Sequence, residues 1–235
     1  RSGYRSDFDL LVIVSHAELA DDDWWYGAND ALLSTWLKSS NRREVNFIVH
    51  DLADVNDQLR RGRPFFKDIN RDGIIVYEYD TKLLARPGNL SAEEIHEEAK
   101  GHFEQWFENS QEFFHLAASS ASRKNYKIAA FNLHQAVETA YHCVLLTLTL
   151  YSPQLHKIDK LRSMAEGLDA RLIEAWPRKT RHQRRPFDKI RRAYVEARYS
   201  KHYRITKELL EEATASVGVL QEIVKAVCGE HLATE

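Results

Sequence analysis

Apolar positions recur along this chain in two different rhythms. Residues 8–14, Phe-Asp-Leu-Leu-Val-Ile-Val, and 45–49, Val-Asn-Phe-Ile-Val, are short apolar runs rich in β-branched side chains. That is the pattern of buried strands. Between them Ala31, Leu32, Leu33, Trp36 and Leu37 fall at helical spacing. Asp72-Gly73 is a turn signal ahead of a third apolar run at 74–77,. Strand, helix and strand in this order predict an α/β layer. Arg86-Pro87-Gly88-Asn89 interrupts the pattern, which separates a domain at 1–86 from a second at 91–235.

From Ser91 onward the rhythm is helical. Ser91-Ala-Glu-Glu94 matches a capping box, in which the Ser91 hydroxyl accepts from the Glu94 amide and the Glu94 carboxylate reaches back,. Ile95, Ala99, Phe103, Trp106 and Phe113 predict a long amphipathic helix to about residue 118,. Ala130, Leu133, Val137, Ala140 and Val144 are the stripe of a second helix, from about 122 to 151. Ser152-Pro153 reads as an N-cap with proline at the first helical position, opening a third helix,. Leu210, Ala213, Val217, Leu220, Val224 and Val227 give the last helix, from about Thr206, a bundle seam,. The expected fold class is α+β: a small α/β domain followed by an all-α up-and-down helical bundle.

Composition narrows the setting more than the activity. Across 235 residues, 33 Lys and Arg face 35 Asp and Glu, so no overall field points toward nucleic acid or membrane,. The two cysteines, Cys143 and Cys228, lie in apolar helical patterns. They read as small buried hydrophobes of a reducing compartment rather than a disulfide or metal pair. No apolar run reaches the ~18 residues of a membrane span and no leader is recognisable, so a cytoplasmic location is expected. The chain opens at Arg1 directly ahead of a strand, and an upstream segment is expected.

Asp7-Phe8-Asp9 sits at the mouth of the first strand. Alternate strand residues point to one face, so the two carboxylates project together. Two solvated acids account for that spacing, and so does a divalent cation. Mg²⁺ takes one or two protein carboxylates and completes its shell with water and phosphate oxygens. The stretch from Gly3 through Tyr4-Arg5-Ser6-Asp7-Phe8-Asp9 to Val12 resembles the small nucleotidyltransferases of the polymerase-beta-like superfamily. Residues 68–78 resemble that family's closing turn and strand. The resemblance covers roughly residues 1–80. It implies that Asp7 and Asp9 hold Mg²⁺ and that AMP passes from ATP to an acceptor hydroxyl. The family's Gly-Ser pair would lie upstream of Arg1, and its third carboxylate falls at Asn46. Asparagine can coordinate through its carbonyl but takes up no proton near neutral pH. Glu44 points to the same face and is the candidate stand-in.

On the second helix His134, Glu138 and His142 follow at four-residue steps and share a face,. A solvated polar face accounts for them; zinc is the other reading, although no further ligand pattern accompanies it. In Tyr194-Val-Glu196-Ala-Arg198-Tyr199-Ser-Lys201-His202-Tyr203 the tyrosines are too close together to serve one core face. Arg198, Lys201 and His202 add donors for an anion. With Phe131-Asn132-Leu133-His134-Gln135-Ala136-Val137-Glu138, this segment resembles the HEPN domain over roughly residues 92–230. Nucleotidyltransferase and HEPN modules are a recognised pairing, so each resemblance supports the other.

The HEPN resemblance implies one of two chemistries. In the metal-independent ribonucleases a His works on the ribose 2′-hydroxyl while an Arg stabilises the phosphorane. Their Arg-to-His spacing is slightly longer than the three residues between Arg198 and His202. In the tyrosine-bearing toxin form the transferase attaches AMP to a tyrosine; Tyr203 is the first candidate acceptor and Tyr199 the second, with His134 and Glu138 in support. A basic run, Arg178, Lys179, Arg181, Arg184, Arg185, Lys189, Arg191 and Arg192, is either a solvated surface or a patch for RNA or nucleotide,. Trp24-Trp25-Tyr26 and the pair Phe113-Phe114 read as core and interface, and one of the latter is expected to face a second subunit of a homodimer. The implied function is Mg²⁺-dependent AMP transfer from ATP in a toxin–antitoxin or defence role. The alternatives are a HEPN ribonuclease, or a nucleotide-binding dimerisation module without catalysis.

Overall fold

The computed structural model describes residues 8–21, 24, 25, 27, 28, 45–79, 84–153 and 155–234. Two compact units divide the chain, Arg1–Leu90 and Ser91–Glu235.

In the first unit the two apolar runs form strands β1 (Phe8–Val14) and β2 (Val45–Asp51). They pair in parallel, in register from Phe8 opposite Val45 to Val14 opposite Asp51. Helix α1 (Leu52–Arg60) follows β2 without a loop, because Asp51 caps it: its side chain accepts from the amides of Ala53 at 2.9 Å and Asp54 at 3.0 Å,. Helix α2 (Pro64–Asp72) starts with proline at its first position and buries Phe66,. Trp25 packs on Phe47 of β2 and donates to the Leu19 carbonyl, whereas Trp24 is exposed. The helix expected around residues 31–37 lies outside the described residues.

The expected third strand is corrected. Asp72 ends α2, Gly73 caps it, and residues 73–78 are irregular. Ile74, Ile75, Val76 and Tyr77 are all exposed. A strand needs a neighbour for its backbone groups, and among the described residues the sheet stops at two strands,. Residues 84–90 belong to the first unit. The Gly88 amide donates to the Leu59 carbonyl and the Ala85 amide to the Asn56 side chain. Gly88 lies so close to the Arg60 carbonyl that a Cβ would collide with it,.

The second unit is a helical bundle. Its helices are α3 (Ala92–Ser122), α4 (Tyr126–Thr149), α5 (Ile158–Leu168), α6 (Arg181–Tyr199) and α7 (Lys207–Thr234), with a 3₁₀ turn at Ala170–Ala175. The capping box at Ser91 and Glu94 forms as expected, with bonds of 3.1 and 2.8 Å. Helix α4 is the axis: α3, α5, α6 and α7 all pack on it. Its expected stripe is buried, and so is the whole seam of α7. Phe113 and Phe114 are both half-buried and pack against this core. Cys143 and Cys228 are free and buried in the core.

Ser152-Pro153 does not open the third helix, which begins at Ile158 after an N-cap at Lys157. Leu150 ends α4 in the left-handed conformation, at φ 52°. The Ser152 hydroxyl is engaged elsewhere, 2.6 Å from His142 Nδ1.

Candidate functional site

His134, Glu138 and His142 do share one face of α4, but that face is not solvated. All three are buried, because the axial helix is covered on every side. Buried polar groups demand partners, and the bundle supplies them. His134 directs Nδ1 to the Ile190 carbonyl of α6 at 3.1 Å and Nε2 to Glu138 Oε2 at 3.2 Å. The other carboxylate oxygen, Oε1, accepts from His156 Nδ1 at 2.9 Å. Burial pushes the Glu138 carboxyl up, but hydrogen bonds from His134 and then His156 outweigh it and hold the group below the ordinary carboxylate range,. His142 bonds Ser152 and the Leu155 carbonyl, and burial lowers its pKa. No group of His, Cys, Asp and Glu suited to a metal ion occurs among the described residues, so the zinc reading of this stripe gains nothing.

Tyr194 of α6 joins these groups to Arg198. Its ring stacks on His134 at 5.1 Å and on His156 at 4.9 Å. The Arg198 guanidinium lies over the same ring at 4.2 Å, over Tyr199 at 5.1 Å and over Phe131 at 5.6 Å. Its Nε donates to the Tyr194 carbonyl at 2.6 Å. An exposed guanidinium on an aromatic bed is held in place while its outward edge can meet an anion,.

Arg198 and His202 do not share a helix face, because α6 ends at Tyr199. Ser200 caps it, and His202 lies exposed in the following turn, with its amide on Ser200 Oγ at 3.1 Å. That turn is tied down by Lys127, whose ammonium donates to the Ser200 carbonyl at 3.0 Å. An open groove of about 490 Å³ runs along Val195, Glu196, Tyr199, Ser200, Lys201 and His202. The order of the tyrosines also reverses. Tyr203 is 2% exposed, and its hydroxyl donates to the Lys189 carbonyl at 3.0 Å; burial pushes its pKa up. Tyr199 is 77% exposed on the groove.

The basic run divides by pairing. Arg178 meets buried Glu166 at 2.9 Å, Arg192 meets Glu196 at 2.6 Å, and Arg191 approaches Asp159 at 3.8 Å. Arg181, Arg184 and Arg185, in the first turns of α6, are exposed and make no ion pair among the described residues.

Asp7 and Glu44 lie outside the described residues. At the backbone level, the parallel register sets Asp9 directly opposite Asn46. His156 is the residue that sequence reading missed. It stands alone in a connecting segment, with no periodicity to link it to Glu138 or Tyr194.

No curated protein matches the chain. The family model for the HEPN domain matches residues 103–228, a span that includes His134, Glu138, His156, Tyr194, Arg198, His202 and Tyr203. That match covers more than half of the chain and the axial helix with the groups around it, and the chain belongs to the HEPN domain family.

Proposed function

We propose that this HEPN protein carries a nucleotidyltransferase-like N-terminal unit that binds ATP with Mg²⁺ and passes AMP to a tyrosine hydroxyl, in a toxin–antitoxin or defence role. The observation that supports the transferase half is the register of β1 and β2. It sets the backbone of Asp9 opposite Asn46, the position to which the resemblance assigns the third carboxylate. By residue type, Asp7, Asp9 and Asn46 each carry an oxygen donor of the kind Mg²⁺ prefers,. When bound there, Mg²⁺ offsets charge on the nucleotide phosphates. Asn46 binds without taking a proton, so proton removal from the acceptor falls to another group, for which Glu44 is the candidate.

Accessibility favours Tyr199 as acceptor over Tyr203, whose hydroxyl is buried and already donating. Incubation with ATP labelled at the α-phosphate, in the presence of Mg²⁺, tests this. Label is expected on Tyr199, retained in Tyr203→Phe and absent from an Asp7→Ala, Asp9→Ala double variant. Label that persists in the double variant would remove the transferase reading, and label carried by Tyr203 would remove the choice of acceptor. A metal-independent ribonuclease is the second reading, favoured by the exposed Arg198 guanidinium on its aromatic bed.

A further inference from the structure

The short connection between α4 and α5 is fastened to the bundle through two titratable side chains of α4, His142 and Glu138. It leaves α4 at Leu150, whose φ of 52° is a left-handed conformation that costs a branched side chain free energy,. His142 holds it twice. The Leu155 carbonyl only accepts, so Nε2 donates to it at 3.2 Å, and Nδ1 of the neutral ring accepts from the Ser152 hydroxyl at 2.6 Å,. Glu138 holds it once more, with Oε1 accepting from His156 Nδ1 at 2.9 Å. The His156 ring in turn lies nearly parallel to Tyr194 of α6, at 4.9 Å and 19°. Both anchors are buried, whereas His156 on the connection is 62% exposed. The other groups that face the anchors are His134 of α4 itself, on the second oxygen of Glu138, and Trp106 of α3, 5.0 Å from the His142 ring. Tyr194 of α6 stacks on His134 as well, with the Arg198 guanidinium over its ring.

We propose that the α4–α5 connection is a proton-operated strap: His142 and Glu138 hold it on the bundle near neutral pH, and acid releases it, uncovering Glu138 and the part of the Tyr194 ring that His156 covers. Release of the strap returns the His142 ring to water. Under the closed strap burial lowers its pKa from 6.5, and Glu138 and the Leu155 carbonyl offset only part of that,. The open form therefore takes the proton first as pH falls below 6.5, and protonation favours opening,. The proton also turns Nδ1 from an acceptor into a donor, so the Ser152 hydroxyl loses the group it donates to,. Glu138 acts in the same direction at lower pH. Burial raises its carboxyl, but the bonds from His134 and His156 hold it below 4.5 while the strap is closed. Opening removes the His156 bond and carries the group toward its ordinary value, so again the open form is protonated first. Both anchors are loaded by acid, and the event is local to Ser152, Leu155 and His156. It does not depend on which chemistry the exposed face performs.

Amide hydrogen exchange of the full chain, read by mass spectrometry at pH 7.5 and pH 5.0 and corrected for the intrinsic exchange rate at each pH, tests the strap. Protection of peptides spanning residues 150–157 is expected to fall several-fold at pH 5.0, while α7 and the interior of α4 keep theirs. In His142→Gln, whose amide still donates to the Leu155 carbonyl but does not titrate, the two values are expected to agree. Glu138→Gln is expected to keep that loss of protection and to abolish the further loss that wild type shows toward pH 4. If His142→Gln does not fold, the wild-type chain is titrated by NMR instead. The midpoint of the His142 ring is then expected below 6.5 and coincident with that of the Ser152 and Leu155 amides. Four results would overturn the proposal. They are unchanged protection of residues 150–157 in wild type, an equal pH response in His142→Gln, a loss spread evenly over the bundle helices, or NMR midpoints that do not coincide.

Discussion

Glu138 divides its two oxygens between His134 and His156, and this division makes the helical unit sensitive to acid. Its carboxyl is held below the ordinary value of 4.5 in the folded chain. A depressed acid stabilises the fold above the unfolded value, and that contribution disappears as pH falls through the folded one. His142 acts earlier. Burial lowers its pKa from 6.5, so below 6.5 the unfolded chain takes the proton first and stability falls with pH,. Urea unfolding midpoints measured from pH 7 to pH 4 are expected to decline in two stages, and His142→Gln is expected to flatten the upper one. Equal slopes in both proteins would contradict this assignment. Glu166 is the other buried acid with a clear consequence. It meets Arg162 at 2.6 Å and Arg178 at 2.9 Å, while Arg162 also donates to the Trp176 carbonyl. Glu166→Ala leaves the Arg162 charge buried without its carboxylate. A loss of about 3–5 kcal/mol is expected in chemical denaturation.

At the scale of elements, local chemistry decides the ends and tertiary packing decides the faces. The capping box at Ser91 and Glu94 is local, so Ser91→Ala is expected to cost about 1 kcal/mol, measurable as a lower melting temperature,. Ser152-Pro153 has equally good local credentials and opens nothing. His142 takes the serine hydroxyl, and α5 waits until Ile158. The His134–Glu138–His142 stripe was legible as a shared face, since helical spacing guarantees that much. Its burial was not legible, because a polar stripe looks the same whether solvent or another helix faces it. Residues 74–77 fail as a strand for a related reason. β-branched composition describes what fits a sheet, and a sheet partner has to exist before it matters.

At the scale of the molecule, the core of the helical unit is drawn from α3 through α7 and is continuous within Ser91–Glu235. A fragment of those residues is expected to unfold cooperatively by itself. A broad, non-cooperative melt in circular dichroism would show that it depends on the first unit. No described helix is long and apolar enough to cross a membrane. Much of this plan was readable beforehand: the change of rhythm at Ser91, the stripe of α4 and the seam of α7 come from spacing alone, because a period of 3.6 reports which side of a helix is apolar. The site was readable only in part. Arg198, Tyr199 and Tyr203 stand out by density, but a linear text does not reveal that one hydroxyl is buried and the next exposed. Nor does it reveal where α6 stops, on which the relation of Arg198 to His202 depends. His156 was out of reach altogether, because its partners come from α4 and α6 and share no pattern with it. Sequence by itself determined the long helices α3, α4 and α7, their apolar faces and the acidic motif at Asp7 and Asp9, since these rest on neighbours a few residues away. Only the tertiary structure decided which polar groups are buried and paired, since that depends on which elements cover one another.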